Sequence, residues 1–182
     1  LLKSGDHIIC SRYLFGNTVS FLHTLKQFSI EVEFVDTTAV ENIKACYKKN
    51  TRLVFVESIA NPGTQISDLS AIGDFCQQQA CLFILDNTLT TSYLLPPKSV
   101  KAHLCITSLS KYVCGHGTVL GGAITDTGLF DWSQYPNIFE NYRKDESKHW
   151  GLIQIKKKAL RDLGGTLSSD NAYQIAIGYE TI

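Results

Sequence analysis

Two side chains of complementary chemistry close two apolar runs of this sequence. Asp86 ends Ala80–Leu85, and Lys111 follows His103–Thr107 in the stretch Ser108-Leu109-Ser110-Lys111-Tyr112. An ionised carboxylate at the end of an apolar strand is costly unless it meets a cation, and a protonated ring nitrogen is one. A lysine that forms a Schiff base needs a desolvated, electropositive site that lowers its pKa. Ser108 and Ser110, three and one residues before Lys111, offer hydroxyls to a phosphate. One strand-end Asp with one strand-end Lys is the contribution a protein makes to pyridoxal phosphate. The lysine holds the aldehyde, and the carboxylate keeps the ring nitrogen protonated so that the ring is an electron sink. At this level both residues keep a competing reading: Asp86 as a turn or helix cap, Lys111 as a solvated surface lysine.

The other chemistry-bearing groups weigh differently. Glu57, Ser58 and Asn61 follow the apolar run Arg52–Val56, so polar groups gather after several predicted strands. The run Gly115-His116-Gly117-Thr118-Val119-Leu120-Gly121-Gly122 matches neither the Walker phosphate loop nor G-x-G-x-x-G, and it precedes a strand rather than opening a helix. We read it as a turn with close packing. There is no G-x-S-x-G elbow. Cys114 and His116 are close in sequence but lack a second ligand pair, so no metal site is expected. The six cysteines contain no C-x-x-C pair. Those at 10, 81 and 105 lie in apolar runs, as buried free thiols do. That usage fits a reducing, cytoplasmic protein.

The elements that must carry these groups alternate. Strands are expected at His7–Ser11, Glu31–Val35, Arg52–Glu57, Ala80–Leu85, His103–Thr107 and Val119–Thr125. Helices are expected at Thr18–Phe28, Thr37–Lys49 (capped by Thr37 or Thr38), Ser67–Gln79, Gly151–Leu163 and Asn171–Thr181, with a turn at Asn61-Pro62-Gly63. Near-continuous apolar strands separated by helices imply crossover connections and an α/β, three-layer αβα fold on a mostly parallel sheet. In such sheets ligands bind outside the carboxyl ends of the strands, which is where Glu57, Asp86 and Ser108 fall.

Composition sets the outer bounds. The chain has 182 residues, 44% hydrophobic and 19% charged, enough for one domain with a sizeable core. Seventeen basic and 17 acidic residues give zero net charge, which argues against a nucleic-acid partner or a polybasic membrane anchor. The apolar runs are far shorter than the roughly 20 residues needed to cross a bilayer. The chain holds no methionine and shows no signal peptide, so it is expected to be a piece of a longer polypeptide.

On five stretches the sequence resembles the Cys/Met-metabolism family of pyridoxal-phosphate enzymes: GDHIICSRYLFGNTVSFL, NTRLVFVESIANP, FILDNTLTTSYLLPP, SLSKYVCGHGTVLGGAITDTGLFDW and LRDLGGTLSSDNA. The similarity is collinear over essentially the whole chain. It implies the large domain of a fold-type I enzyme and residue roles by position. Lys111 matches the Schiff-base lysine and Asp86 the carboxylate on the pyridine nitrogen. Ser108 and Ser110 match the phosphate hydroxyls, and Asn61 the asparagine near the cofactor oxygen and the substrate carboxylate. Glu57 belongs to the same motif. Phe15 stands where many members carry a ring-stacking tyrosine; stacking survives that change, but acid–base help from a phenol does not. Sulfhydrylase-like members also resemble this Leu-Phe-Gly version.

The resemblance further implies a partial large domain over residues 1–182, lacking an N-terminal arm and a C-terminal small domain. The expected activity is γ-replacement or γ-elimination on an activated homoserine, with a small amino-acid substrate and a homo-oligomeric (dimer or tetramer) assembly. A cystathionine or methionine lyase is the alternative within the family. A truncated, non-catalytic association domain is the alternative of another class. Residues 1–182 alone are expected to hold no cofactor and to be inactive.

Overall fold

In the computed structural model, which describes residues 1–144 and 146–182, six strands form one sheet. They are β1 (His7–Ser11), β2 (Glu31–Val35), β3 (Thr51–Glu57), β4 (Leu82–Asp86), β5 (Leu104–Ser108) and β6 (Gly122–Asp126), ordered β2-β1-β3-β4-β5-β6. The first five are parallel and β6 is antiparallel to β5. The apolar run of β1 is buried along its whole length, and β3 and β4 nearly so. Strands sandwiched between two helical layers need that pattern.

The two faces follow from the period-two alternation of side chains. Ile8, Cys10, Leu53 and Leu82 point to one face. There they meet Leu22 of α1 (Gly16–Leu25), the Phe130–Trp132–Tyr135 aromatic cluster and Ile155 of α5 (Trp150–Ile155). Ile9, Val54, Phe83 and Leu85 point to the other, against α2 (Val40–Cys46) and α3 (Leu69–Gln78). Trp132 is fully buried, edge-on to Phe130 and Tyr135 at 5.0 and 5.6 Å, and its indole nitrogen donates to Asp126 at 2.8 Å. The three-layer arrangement agrees with the expectation from sequence.

Several local expectations are corrected. The second helix is Val40–Cys46, not Thr37–Lys49, and Ala39 caps it without a side-chain bond. The Thr37 hydroxyl is instead buried between Ser11 and Ser67, at 2.9 and 2.7 Å, and Thr38 closes a turn on Asp36 at 3.0 Å. Asp68 caps α3, its side chain accepting from the Ala71 amide. The last strand begins at Gly122 rather than Val119, after a loop that carries Gly115 and Gly117 at φ +72° and +66°. The helix expected at Gly151–Leu163 is α5 continued as wider turns over Lys156–Asp162. A short α4 (Thr91–Leu94), unread in the sequence, precedes Pro96-Pro97, and α6 (Ser169–Tyr179) closes the chain. No helix among the described residues is long and apolar enough to cross a membrane.

Candidate active site

The chain order reverses direction between β1 and β3, and it is outside the carboxyl ends of such strands that α/β sheets place ligands. A cavity of about 640 Å³ opens there. Its wall contains all seven residues singled out from the sequence: Phe15 after β1, Glu57 and Asn61 at and after β3, Asp86 at the end of β4, and Ser108, Ser110 and Lys111 at and after β5. Thr18, Ile59, Thr88, Leu89, Tyr112, Gly115 and Gly117 complete it.

Asp86 divides its carboxylate. Oδ1 accepts the Thr88 amide at 2.9 Å and the Thr88 hydroxyl at 2.6 Å, while Oδ2 has no hydrogen-bond or ion-pair partner among the described residues. One oxygen thus closes a turn, as the cap reading expects, and the other is left to the cavity. Thr88 is a cavity residue that the sequence reading did not single out. Its hydroxyl also accepts the Ser108 amide at 2.9 Å, so one oxygen ties the end of β4 to the end of β5. The signal available in the sequence was the Asp-x-Thr spacing, which suits a side-chain turn.

Glu57 is 8% exposed and lies beside Asp86 in the β3–β4 ladder. Its Oε1 accepts the Phe15 amide at 2.7 Å, and the Asn61 backbone favours the ionised form of the carboxylate. Burial, with the Asp86 charge adding to it, holds this carboxyl above the usual range. Glu57 thus anchors the loop that presents Phe15. Phe15 itself leaves 46% of its surface exposed, a flat apolar wall at the mouth of α1.

Lys111 is exposed, and Nζ has no partner among the described residues. The backbone places it: the Lys111 amide donates to Ser108 O at 3.4 Å, and Gly115 N donates to Lys111 O at 2.8 Å. Ser108 leaves its hydroxyl unengaged among the described residues, whereas Ser110 does not. Ser110 Oγ accepts the Gly121 amide at 2.8 Å and donates to Gly121 O at 3.3 Å, so its first role is to fasten the glycine turn. From α6, Gly178 packs so closely that a Cβ would stand 2.0 Å from Cys114 O.

The donor set fits a flat, phosphorylated, cationic ring carrying an aldehyde. A carboxylate oxygen and an amine without partners among the described residues, the hydroxyl side chains of Ser108 and Ser110, and an aromatic wall line one space. The chain belongs to the family described as Cys/Met metabolism PLP-dependent enzymes, whose model matches residues 1–182. The chain is 34% identical to an O-acetylhomoserine sulfhydrylase of the methionine biosynthetic pathway of Wolinella succinogenes. The TM-score is 0.91, over 100% of this chain and 51% of that one. A Campylobacter jejuni structure assigned as an O-acetylhomoserine (thiol)-lyase, which carries a pyridoxyl-lysine monophosphate, matches at 32% identity and TM-score 0.89, over 100% and 48% of the two chains. An L-methionine gamma-lyase of Fusobacterium nucleatum subsp. polymorphum is 35% identical over 185 residues, 100% of this chain and 41% of the relative. The chain spans about half the length of the curated relatives it matches.

Proposed function

We propose that the full-length protein is a pyridoxal-phosphate enzyme of sulfur amino-acid metabolism that performs γ-replacement or γ-elimination on an activated homoserine. The observation that carries this reading is the pair of unpartnered groups, Asp86 Oδ2 and Lys111 Nζ, in one cavity walled by Phe15. When bound, the cofactor supplies an electron sink for carbanions at the substrate's α-carbon. The residues do the rest. Lys111 Nζ holds the aldehyde carbon and is the base that moves protons at the substrate α-carbon. Asp86 Oδ2 holds the proton on the ring nitrogen, with Oδ1 locked by Thr88 so that the carboxylate cannot rotate away. Phe15 covers the ring face, and Ser108 donates to the phosphate. Ser110 contributes once it exchanges its bond to the Gly121 carbonyl. Asn61, held beside Glu57, faces the substrate side.

Six free thiols suit a reducing, cytoplasmic setting. Exposed Phe21, Phe28, Tyr93 and Leu94 suit a homo-oligomer, dimer or tetramer. The likeness to a methionine gamma-lyase supports a second reading, elimination from methionine or cystathionine. The test uses the full-length protein. Borohydride reduction with pyridoxal phosphate should fix the label on Lys111, and an acylated homoserine with sulfide should give homocysteine. Keto-acid release from methionine without thiol replacement would favour the lyase. A sample that stays colourless with added cofactor would leave only a non-catalytic association domain.

A further inference from the structure

At the opposite rim of the sheet, the first residues of β1 and β2 bring a histidine against two glutamates. His7 pairs with Glu31 in the parallel ladder and Ile9 with Glu33, so all three polar side chains leave the sheet on the face that carries Ile9. His7 is 0% exposed, its Nδ1 bonded to Thr51 Oγ1 at 2.7 Å. Its Nε2 is buried, makes no hydrogen bond, and stands 3.3 Å from Glu33 Oε2 without the alignment of one. The ligand atoms of His7, Glu31 and Glu33 all lie within 4.8 Å of one another. Lys48, from the loop after α2, reaches over them, paired with Glu31 and 3.4 Å from Glu33.

We infer that His7, Glu31 and Glu33 form a zinc site that clamps the edge strand β2 to β1, remote from the catalytic cavity. A tetrahedral ion with bonds of about 2.05 Å spaces its ligands about 3.3 Å apart, which is the His7–Glu33 separation. The Nδ1–Thr51 bond fixes the imidazole so that Nε2 is the ligating atom, as outer hydrogen bonds do in metal centres. One imidazole and two carboxylates suit zinc; a magnesium or calcium ion would want oxygen throughout. Water completes the fourth position on the solvent side, where the Glu31 and Glu33 side chains are 54% and 39% exposed. The Lys48 ammonium marks where positive charge settles and is the competitor zinc displaces. Its side chain is 41% exposed and free to swing out.

The experiment titrates Zn²⁺ into the full-length enzyme against a chromophoric chelator. It compares the parent, the double variant Glu31→Gln/Glu33→Gln and Lys48→Met, none of which alters the buried His7–Thr51 pair. The double variant should bind one equivalent fewer. Lys48→Met should tighten the site by roughly thirtyfold, the repulsion in water between a unit charge and a divalent ion about 4 Å apart being twice that between two unit charges. Zinc should also raise the melting temperature of the parent and not of the double variant. Equal stoichiometry in parent and double variant overturns the site. So does Lys48→Met binding that is no tighter than the parent's. The readout does not depend on turnover, so it stands or falls apart from the proposed function.

Discussion

Replacing Asp86 by Asn separates the two halves of this side chain. An amide oxygen can occupy the place of Oδ1 and keep both Thr88 donors, so the turn that ends β4 survives. What changes is the atom facing the cavity: a charged acceptor becomes a donor. A hydrogen bond to a charged group contributes about 1.5–3 kcal/mol, and each 1.4 kcal/mol is tenfold in binding. Cofactor affinity of the full-length enzyme should therefore fall about tenfold to a hundredfold. Turnover should fall further, because a neutral ring nitrogen is a poorer electron sink. Folding stability should move by less than about 1 kcal/mol, since no bond of the turn is lost. The measurements are a titration followed at the visible absorbance of the bound cofactor and a urea unfolding curve. Asp86→Ala is the contrasting variant: it also strips the turn of its acceptor and should lose stability as well as affinity. Unchanged affinity in Asp86→Asn, with a lowered unfolding midpoint, would show that Asp86 is only a turn residue and refute the reasoning.

The other expectations concern different parts of the same frame. Lys111→Ala should abolish turnover and borohydride labelling while leaving unfolding within about 0.5 kcal/mol of the parent, because the side chain is exposed and Nζ makes no hydrogen bond or ion pair among the described residues. His103 is buried, its Nδ1 accepting the Phe83 amide at 2.9 Å, and burial lowers its pKa to about 4. A base depressed in the folded state stabilises fully above its unfolded pKa of 6.5 and loses that contribution as pH falls toward 4, roughly 3 kcal/mol in all. His103→Asn should flatten this part of the pH–stability profile, measured by urea unfolding at pH 7 and pH 4.5. Glu57 works in the opposite sense, since its raised carboxyl pKa favours the fold below about 4.5 and costs stability as pH rises through the folded value. Glu57→Gln keeps the acceptor for Phe15 and should therefore melt higher than the parent at pH 7. Gly178→Ala should destabilise by about 1–3 kcal/mol through overpacking against the Cys114 carbonyl and weaken cofactor binding, because that carbonyl belongs to the turn after Lys111. A variant with unchanged unfolding and binding would show that α6 does not brace the turn.

The strands were legible because each is an apolar run whose length and company leave few alternatives: Leu53–Val56 and Leu82–Leu85 have nowhere to go but a sheet covered on both faces. Their ends were legible for the same reason, since Asp86 and Ser108 are where the apolar pattern stops. The gathering of Phe15, Asn61, Asp86 and Lys111 in one cavity follows from parallel strands, which put all their carboxyl ends on one rim. What the pattern could not reveal was competition among polar groups. Thr37 was read as a cap, but Ser11 and Ser67, close only in the fold, claim its hydroxyl. Ser110 was read as a phosphate donor, yet the Gly121 backbone reaches it first. The grouping of His7 with Glu31 and Glu33 was invisible because the ladder register that joins them lies across strands.

The rim shows how a fold can hold reactive groups without spending them. Strand ends leave backbone amides unpaired, and those amides must find acceptors when buried. Asp86 Oδ1 takes the Thr88 amide, the Thr88 hydroxyl takes the Ser108 amide, and Glu57 Oε1 takes the Phe15 amide. Each bond is structural, and each fixes the direction of a neighbouring atom that is not used: Asp86 Oδ2, the Ser108 hydroxyl, the Phe15 ring. Truncation to alanine at these positions removes both functions together and cannot apportion them. Isosteric changes can, because asparagine and glutamine keep the acceptor while changing the charge. Thr88→Val completes the argument from the other side. It leaves Asp86 chemically intact but removes one of its two anchors and leaves the half-buried Ser108 amide without its acceptor, a loss of about 1 kcal/mol. If the free oxygen of Asp86 matters through its fixed direction, Thr88→Val should weaken cofactor binding without touching any atom of the carboxylate. If binding is unchanged while stability falls, the anchoring serves the sheet alone, and Asp86 finds its partner without being held.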